Sequence, residues 1–218
     1  SLAKELGLSK YQVENIYYAS LIHDIGMSGQ MARYSVEEIH FSYELKREHC
    51  KLGHDIIDKL PLDSSIANSI LYHHEEYNGL GVFKLKGDEI PLQGQIIHIA
   101  DQLELFLQKK METGEMLDSD TLKKELDLSR NKRYKGEHCD ALISLLDKEK
   151  FWFDLQTQNI IQALNTIEPN NDATIDITGL KSISNAFSIL IDSRSPFTHE
   201  HSQGIAAITK DFAEYLGY

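Results

Sequence analysis

Histidine and aspartate residues recur along the first half of this sequence at positions where they could bind metal ions. Two adjacent pairs, a histidine between them and a later aspartate form the series: His23-Asp24, His49, His73-His74 and Asp101. Imidazole and carboxylate ligands together suit first-row divalent metals, and they do not distinguish iron, manganese, nickel and zinc. Asp101 also interrupts an apolar run, where a buried carboxylate needs a partner. The series therefore predicts a metal site.

The chemistry expected of such a site is phosphoester hydrolysis. Adjacent helical residues diverge by about 100°, so His23 and Asp24 could bind one ion and touch a second. Two such ions would hold a phosphoryl group and lower the pKa of a bridging water, which generates hydroxide. We therefore expect two divalent ions and no covalent intermediate. Asp24, as a central anionic ligand, is assigned the catalytic role.

Each of these residues also has an ordinary structural interpretation. His23 alone fits a hydrogen-bonded core histidine, His49 a surface histidine, and Asp101 an ion pair with lysine or arginine. The combination favours metal binding over these alternatives. Three further histidines lie near the series and are interpreted as non-ligands: His40, His54 and His98.

Composition limits the classes of partner. The chain has 218 residues, 41% of them hydrophobic, with a net charge of -12. An acidic surface repels a long phosphate backbone, so extended nucleic acid is not an expected partner, whereas a small phosphate ester can bind where cations reverse the field. No apolar run reaches the ~18 residues typical of a membrane span. No signal peptide is recognised, so a cytoplasmic location is predicted, with Cys50 and Cys139 as reduced thiols.

The expected elements are helices throughout. Capping boxes at Ser9 to Gln12 and Ser35 to Glu38 predict two helix starts, the first leading to His23-Asp24 and the second running to about residue 60. A third helix is expected from Ser64 or Ser65 to Glu75, and a fourth over 92–110. Further helices are predicted near 121–128, 139–146, 160–167, 175–191 and 198–216. Residues 168–172 form the best linker candidate, and no strand pattern is strong enough to build a sheet.

These motifs resemble the HD-GYP branch of the HD phosphohydrolases over about residues 1–155. The similar elements are His23-Asp24-Ile25-Gly26, His49 with Gly53, His73-His74-Glu75 with Asn78-Gly79-Leu80-Gly81, Ile90-Pro91, and the segment ending in Asp101. The resemblance implies an all-α HD-domain helical bundle with two or three metals bound by the series above. It also implies bacterial hydrolysis of cyclic dinucleotides, chiefly cyclic di-GMP. The loop containing Gly79 and Gly81 would border the substrate.

The sequence departs from that family at positions that carry charge. Met27 stands where the family has lysine, and Gln95 stands where it has arginine. Lysine at position 27 is therefore expected to raise a phosphodiesterase rate. Lys84 and Lys86, which follow the glycine loop, are the candidates for replacing the missing charge in substrate binding, although solvated loop lysines are the simpler interpretation.

The two ends of the chain suggest a domain organisation. Leu6-Gly7-Leu8 resembles an element that normally follows an early His-Ser helix, and residues 195–218 resemble that missing opening. One hypothesis is an atypical first HD domain over 1–168, followed by the start of a second HD-GYP domain over 175–218. The alternative is that the C-terminal helices complete the first site, with His201 as a further ligand.

Two functions follow from these observations. The first is a metal-dependent phosphodiesterase that acts on a cyclic dinucleotide or another small phosphate ester. The second is a weakly active or inactive HD domain that serves as a regulatory, binding or dimerisation module for a second, catalytic domain. The changes at Met27 and Gln95 favour this second function. Exposed helices in an incomplete domain are also compatible with a homodimer or a swapped dimer.

Overall fold

The structure is a computed structural model that describes residues 1–114, 118–156, 158–169, 174–193 and 201–218, without the side chain of Met111. Across these residues the secondary structure is helical, and an isolated β-bridge joins Arg130 and Tyr134. The prediction of an all-α protein is therefore confirmed. No helix in the described ranges combines the length and apolar character needed to cross a membrane.

Twelve α-helices lie in the described residues. They are α1 (Leu2–Glu5), α2 (Lys10–Ile22), α3 (Val36–Phe41), α4 (Tyr43–Ile57), α5 (Ser64–Leu71), α6 (Leu92–Thr113), α7 (Ser119–Ser129), α8 (Gly136–Leu146), α9 (Glu149–Asp154), α10 (Ile160–Ile167), α11 (Ile177–Asp192) and α12 (His201–Tyr215), with 3₁₀ helices at Ile25–Gly29 and Gly87–Glu89. The chain forms two compact units, Ser1–His23 with Asn68–Asp172, and Asp24–Ala67 with Ala173–Tyr218.

The first unit has a core of aliphatic side chains from five helices. Leu2 of α1, Ile16 of α2, Ile99 of α6, Leu122 of α7 and Leu142 of α8 belong to one buried cluster. Burial of this apolar surface is the main stabilising contribution available to the unit. Within this unit α2 packs on α6, which fixes the position of the end of α2 relative to the middle of α6. Both segments carry side chains of the site described below.

The second unit is organised around the 3₁₀ helix Ile25–Gly29. This turn packs on α4, and α11 packs on both. Ser28 of this turn is joined to Ser193, the residue after α11, by a hydrogen bond of 3.1 Å between the two hydroxyls. The α11–α12 pair is linked by the Ser202 hydroxyl, which donates to Asp192 at 2.9 Å.

Both predicted capping boxes are present. The Ser9 hydroxyl accepts from the backbone of Gln12, and the Ser35 hydroxyl from that of Glu38, with the reciprocal side-chain bonds in place. Such caps satisfy amide groups that have no partner within the helix. The starts of α2 and α3 therefore follow from local sequence.

Three predicted helices differ from the observed ones. The helix expected from Ser35 to about residue 60 is two helices, because Ser42 leaves helical geometry and its hydroxyl caps α4 by accepting from Leu45. Helix α5 ends at Leu71, so His73 and His74 lie in the following turn, and α2 ends at Ile22, so Asp24 is outside it. The predicted start of a helix at 198 and most of the linker at 168–172 lie outside the described residues.

Candidate functional site

Two histidines of the first unit have ring orientations suited to metal binding. His23 Nδ1 lies 2.9 Å from the Ser20 carbonyl oxygen, and His73 Nδ1 lies 2.7 Å from the Ile70 carbonyl oxygen. Because a carbonyl oxygen only accepts, Nδ1 of each ring carries the proton and donates. The lone pair of each imidazole is therefore on Nε2, as in histidines that bind metals through that atom.

These imidazoles converge with a carboxylate of α6. His23 Nε2 lies 3.9 Å from Asp101 Oδ1, and the Asp101 side chain is only 7% exposed. The ring centroids of His23 and His73 are 5.4 Å apart, and those of His73 and His74 are 4.0 Å apart. The structure thus brings together four of the predicted ligands within this unit.

The second unit contains the other two predicted ligands. Asp24 Oδ1 lies 3.6 Å from His49 Nε2, and the His49 side chain is fully buried in α4. The neighbouring Cys50 is also buried, and it is not in a disulfide with any described residue. Asp24 and His49 therefore form a carboxylate–imidazole pair of the same composition as the His23–Asp101 pair.

The donor set fits a divalent first-row metal. Neutral imidazoles with the lone pair on Nε2, together with carboxylates, match the preferences of zinc, iron, manganese and nickel equally well. His201 differs from these residues, because it is exposed on α12 and belongs to none of the clusters of three or more potential ligands that the described residues contain. Its role as a ligand stays a prediction.

Glu75 fixes the loop that contains Gly79 and Gly81. The side chain is 1% exposed, and its two oxygens accept from the backbone amides of Phe83 at 2.5 Å and Leu85 at 2.6 Å. Burial raises the pKa of Glu75, while these amides oppose that shift. A Cβ on Gly81 would lie 2.5 Å from the Cα of Glu75, so the loop approaches this residue too closely for a larger side chain.

We expect Glu75→Gln to loosen the loop. The amide can accept from one backbone group but presents its own donors to the other, and charge-assisted hydrogen bonds contribute about 1.5–3 kcal/mol. Hydrogen–deuterium exchange at residues 82–85 should therefore rise by about tenfold or more. Glu89→Gln is the matched control, because Glu89 is exposed and its carboxylate accepts from the backbone amide of Lys86 at 3.0 Å. Equal exchange in the two variants would contradict this role for Glu75.

The two candidate substrate-binding lysines lie on the exposed part of the glycine loop. Lys84 and Lys86 are both exposed, and the aliphatic part of Lys86 packs near Gly79. Lys84 has a positive φ of 66°, an uncommon conformation for a residue with a side chain. Their participation in binding remains a prediction.

The two positions that lack the family's positive charge are both buried in the structure. Met27 is only 3% exposed, so its side chain packs in the interior. Gln95 is 8% exposed and donates to the Ile90 carbonyl at 2.8 Å. Both side chains are therefore directed into the protein interior and not toward solvent.

This burial reverses the expectation that Met27→Lys raises a hydrolytic rate. An ammonium at position 27 would be removed from water, which costs free energy unless it is paired. We expect the free energy of unfolding to fall by about 2–4 kcal/mol, measured by urea denaturation. Met31→Lys is the control, because Met31 is 58% exposed and a lysine there stays solvated. A Met27→Lys protein as stable as this control would show that the site tolerates charge.

The chain is similar to proteins of known activity. The HD domain family matches residues 1–137. The 3'3'-cGAMP-specific phosphodiesterase 1 of Vibrio cholerae is 23% identical over 224 residues, which cover 100% of this chain and 51% of that protein. The cyclic di-GMP phosphodiesterase of Thermotoga maritima is 30% identical over 118 residues, covering 50% of this chain and 31% of that protein.

A solved structure supports the fold. The crystal structure of a cyclic GMP-AMP specific phosphodiesterase from Vibrio cholerae superposes with a TM-score of 0.73 at 20% sequence identity, covering 100% of this chain and 58% of that chain. The predicted helical architecture therefore has a counterpart in a solved protein. This chain spans between 31% and 58% of the length of the relatives described above.

Proposed function

Because the chain belongs to the HD domain family, we propose that it is a metal-dependent phosphohydrolase whose substrate is a cyclic dinucleotide. The observation that carries this proposal is the arrangement of His23 and His73, whose Nδ1 groups donate to backbone carbonyls while His23 Nε2 faces the Asp101 carboxylate. A histidine held in this way is oriented to bind a metal, and its tautomer is already fixed.

Each unit contains proposed ligands of its own. They are His23, His73, His74 and Asp101 of the first unit, and Asp24 and His49 of the second. Divalent ions bound there would activate a water and neutralise a phosphoryl group. The residues themselves hold the ligand atoms: the carbonyls of Ser20 and Ile70 orient two imidazoles, and Gln102 donates to Asp101 Oδ2 at 3.3 Å. Asp24 is the proposed catalytic residue, as an anionic ligand.

The substrate class is proposed from two kinds of support. Relatives that match this chain are named for 3'3'-cGAMP and for cyclic di-GMP. The loop fixed by Glu75 contains Gly79 and Gly81, and the resemblance to the HD-GYP branch places this loop at the border of the substrate. Cyclic di-GMP is therefore the first candidate substrate to test, and 3'3'-cGAMP is the second.

The test is turnover by the purified chain after loading with iron, manganese, nickel or zinc in separate samples. Cyclic di-GMP, 3'3'-cGAMP and a mononucleotide are incubated with each sample, and products are identified by mass spectrometry. We expect linear dinucleotides from at least one cyclic substrate, and none after chelation. Turnover of the mononucleotide alone would replace the substrate class, and no turnover with metal bound would refute the hydrolase.

A regulatory role for the domain is the second candidate. Buried Met27 and hydrogen-bonded Gln95 supply no cation to a substrate, which favours a weakly active domain. Helix α12 exposes Ile208, Phe212 and Tyr215, which is compatible with 175–218 belonging to a second HD-GYP domain. Saturable binding of a cyclic dinucleotide without turnover would support this alternative, and the domain boundaries would then be tested with a longer chain.

A further inference from the structure

In the second unit, α4 and α11 both pack against the 3₁₀ helix that follows Asp24. We propose that Ser193, the residue after α11, is a positioning residue for Asp24, so that metal binding depends on how α11 and α12 are held. The inference rests on the proposed function for the role of Asp24 as a ligand. It extends that function by naming the elements through which the site is regulated.

Asp24 is part of the 3₁₀ helix Ile25–Gly29 through its backbone. Its carbonyl oxygen accepts from the Met27 amide at 2.8 Å, and the Met27 carbonyl accepts from the Gln30 amide at 2.9 Å. These bonds fix the soft backbone dihedrals between the ligand residue and the end of the 3₁₀ helix. A displacement of the 3₁₀ helix therefore moves Asp24 relative to His49 of α4.

Ser193 contacts the last two residues of the 3₁₀ helix. A Cβ on Gly29 would lie 2.7 Å from the Ser193 carbonyl oxygen, so the two segments approach with no space for a side chain. The Ser193 hydroxyl lies 3.1 Å from that of Ser28 and 2.8 Å from the Leu190 carbonyl oxygen. Because a carbonyl only accepts, Ser193 donates to Leu190, and Ser28 donates to Ser193. This hydroxyl therefore joins the end of α11 to the 3₁₀ helix.

Helix α12 is joined to the residue before Ser193. Asp192 is 7% exposed, and it accepts from the Ser202 hydroxyl at 2.9 Å and from the Ser202 amide at 3.4 Å. Coupling between separate elements is carried by packed and hydrogen-bonded groups of this kind. A continuous series of contacts thus runs from α12 through the end of α11 to Asp24, entirely within the second unit.

The exposure of the two ligands explains why Asp24 needs this support. The His49 side chain is 0% exposed, so its position is fixed by the surrounding interior, whereas that of Asp24 is 29% exposed. The position of the carboxylate consequently depends on the backbone that carries it. Groups that orient a metal ligand typically change metal affinity by about 10–100-fold when they are removed.

The test is cobalt(II) binding to the full chain, with affinity measured by competition with a chelator and coordination followed by visible absorption. We expect Ser193→Ala to weaken binding by about tenfold and to change the absorption spectrum, because the ligand geometry changes. Ser184→Ala is the matched control: this exposed hydroxyl also donates to a carbonyl within α11, that of Leu180, at 2.9 Å. Its affinity should stay within about twofold of wild type, with an unchanged spectrum.

Ser28→Ala separates the contact with the 3₁₀ helix from the stability of α11. It removes the donor to Ser193 and leaves the bond from Ser193 to Leu190 in place. Because the two serines act through one contact, the double variant should bind cobalt at most about twofold more weakly than Ser193→Ala alone. Independent, additive losses would show that the serines do not act together and would overturn the proposal.

Hydrogen–deuterium exchange of the metal-free chain tests the same coupling without an ion. Exchange at the Met27 and Gln30 amides should rise by about fivefold in Ser193→Ala and stay at the wild-type rate in Ser184→Ala. Unchanged exchange, or wild-type cobalt affinity and spectrum in Ser193→Ala, would overturn the proposal.

These outcomes are separate from the proposed activity. If Ser193→Ala loses cobalt affinity as expected and the wild type hydrolyses no cyclic dinucleotide, the positioning role stands and the phosphodiesterase fails. If the wild type binds cobalt and hydrolyses a cyclic dinucleotide while Ser193→Ala is unchanged in both, only the positioning role fails. No cobalt binding to the wild type would overturn both.

Discussion

Asp24→Ala is expected to abolish tight metal binding and to lower hydrolysis of a cyclic dinucleotide by about 100-fold or more. Asp24 Oδ1 lies 3.6 Å from Nε2 of the buried His49, close to the separation of two ligand atoms that each lie about 2 Å from one ion. Removing the carboxylate takes away an anionic ligand, so His49 alone would hold the cation without a negative charge beside it. Metal per chain is measured by elemental mass spectrometry on protein purified without chelators, and turnover on the same sample.

The matched control for this change is Asp55→Ala. Asp55 also lies close to a histidine, with its carboxylate 3.3 Å from His54 Nδ1, but its side chain is 69% exposed. Solvated pairs of this kind contribute little, so metal content and turnover should stay at the wild-type level. Unchanged metal in Asp24→Ala would remove this residue from the ligand set, and equal losses in both variants would point to a general loss of acidic surface.

The helices that local sequence specifies were predicted well. Ser9 with Gln12 and Ser35 with Glu38 are caps made within one turn, so a single stretch of sequence contains both partners. The break at Ser42 was missed, although its physical cause is also local, because serine inside a periodic pattern is read equally well as a helix-surface residue.

The candidate ligands were recognisable because few residue types bind metals. Their geometry was less predictable: His73 and His74 were expected on a helix and lie in the turn after α5. In that turn His73 still donates to the Ile70 carbonyl, so the ring is oriented by a short-range bond that helix periodicity does not reveal.

The sequence motif includes Glu75, but the role of its side chain was not predicted because its partners lie further along the loop. The amides that it binds are eight and ten residues later. Glutamate is common on helix surfaces, so the residue type alone does not indicate such a role. The burial of Met27 was not predictable either, because it depends on packing that the sequence pattern around this residue does not encode.

Gly26 occupies a position in the second unit where a side chain has no room. A Cβ on this residue would lie 2.0 Å from the His49 carbonyl oxygen and 2.7 Å from the Gly53 amide nitrogen. Both atoms are backbone of α4, so no rotamer change can relieve the contact. The small residue following the His23-Asp24 pair therefore permits the 3₁₀ helix to approach the turn of α4 that contains His49.

Gly26→Ala is accordingly expected to lower the free energy of unfolding by about 3 kcal/mol or more and to reduce metal content, because separating the 3₁₀ helix from α4 displaces Asp24 from His49. Gly204→Ala provides the comparison: a Cβ there meets no atom within 4 Å, and alanine inside α12 should be neutral or stabilise by up to about 1 kcal/mol. Urea denaturation and elemental analysis of both variants test this difference. A Gly26→Ala protein with wild-type stability and metal content would mean that α4 can move without affecting the Asp24–His49 pair, and the close approach would then have no part in forming the site.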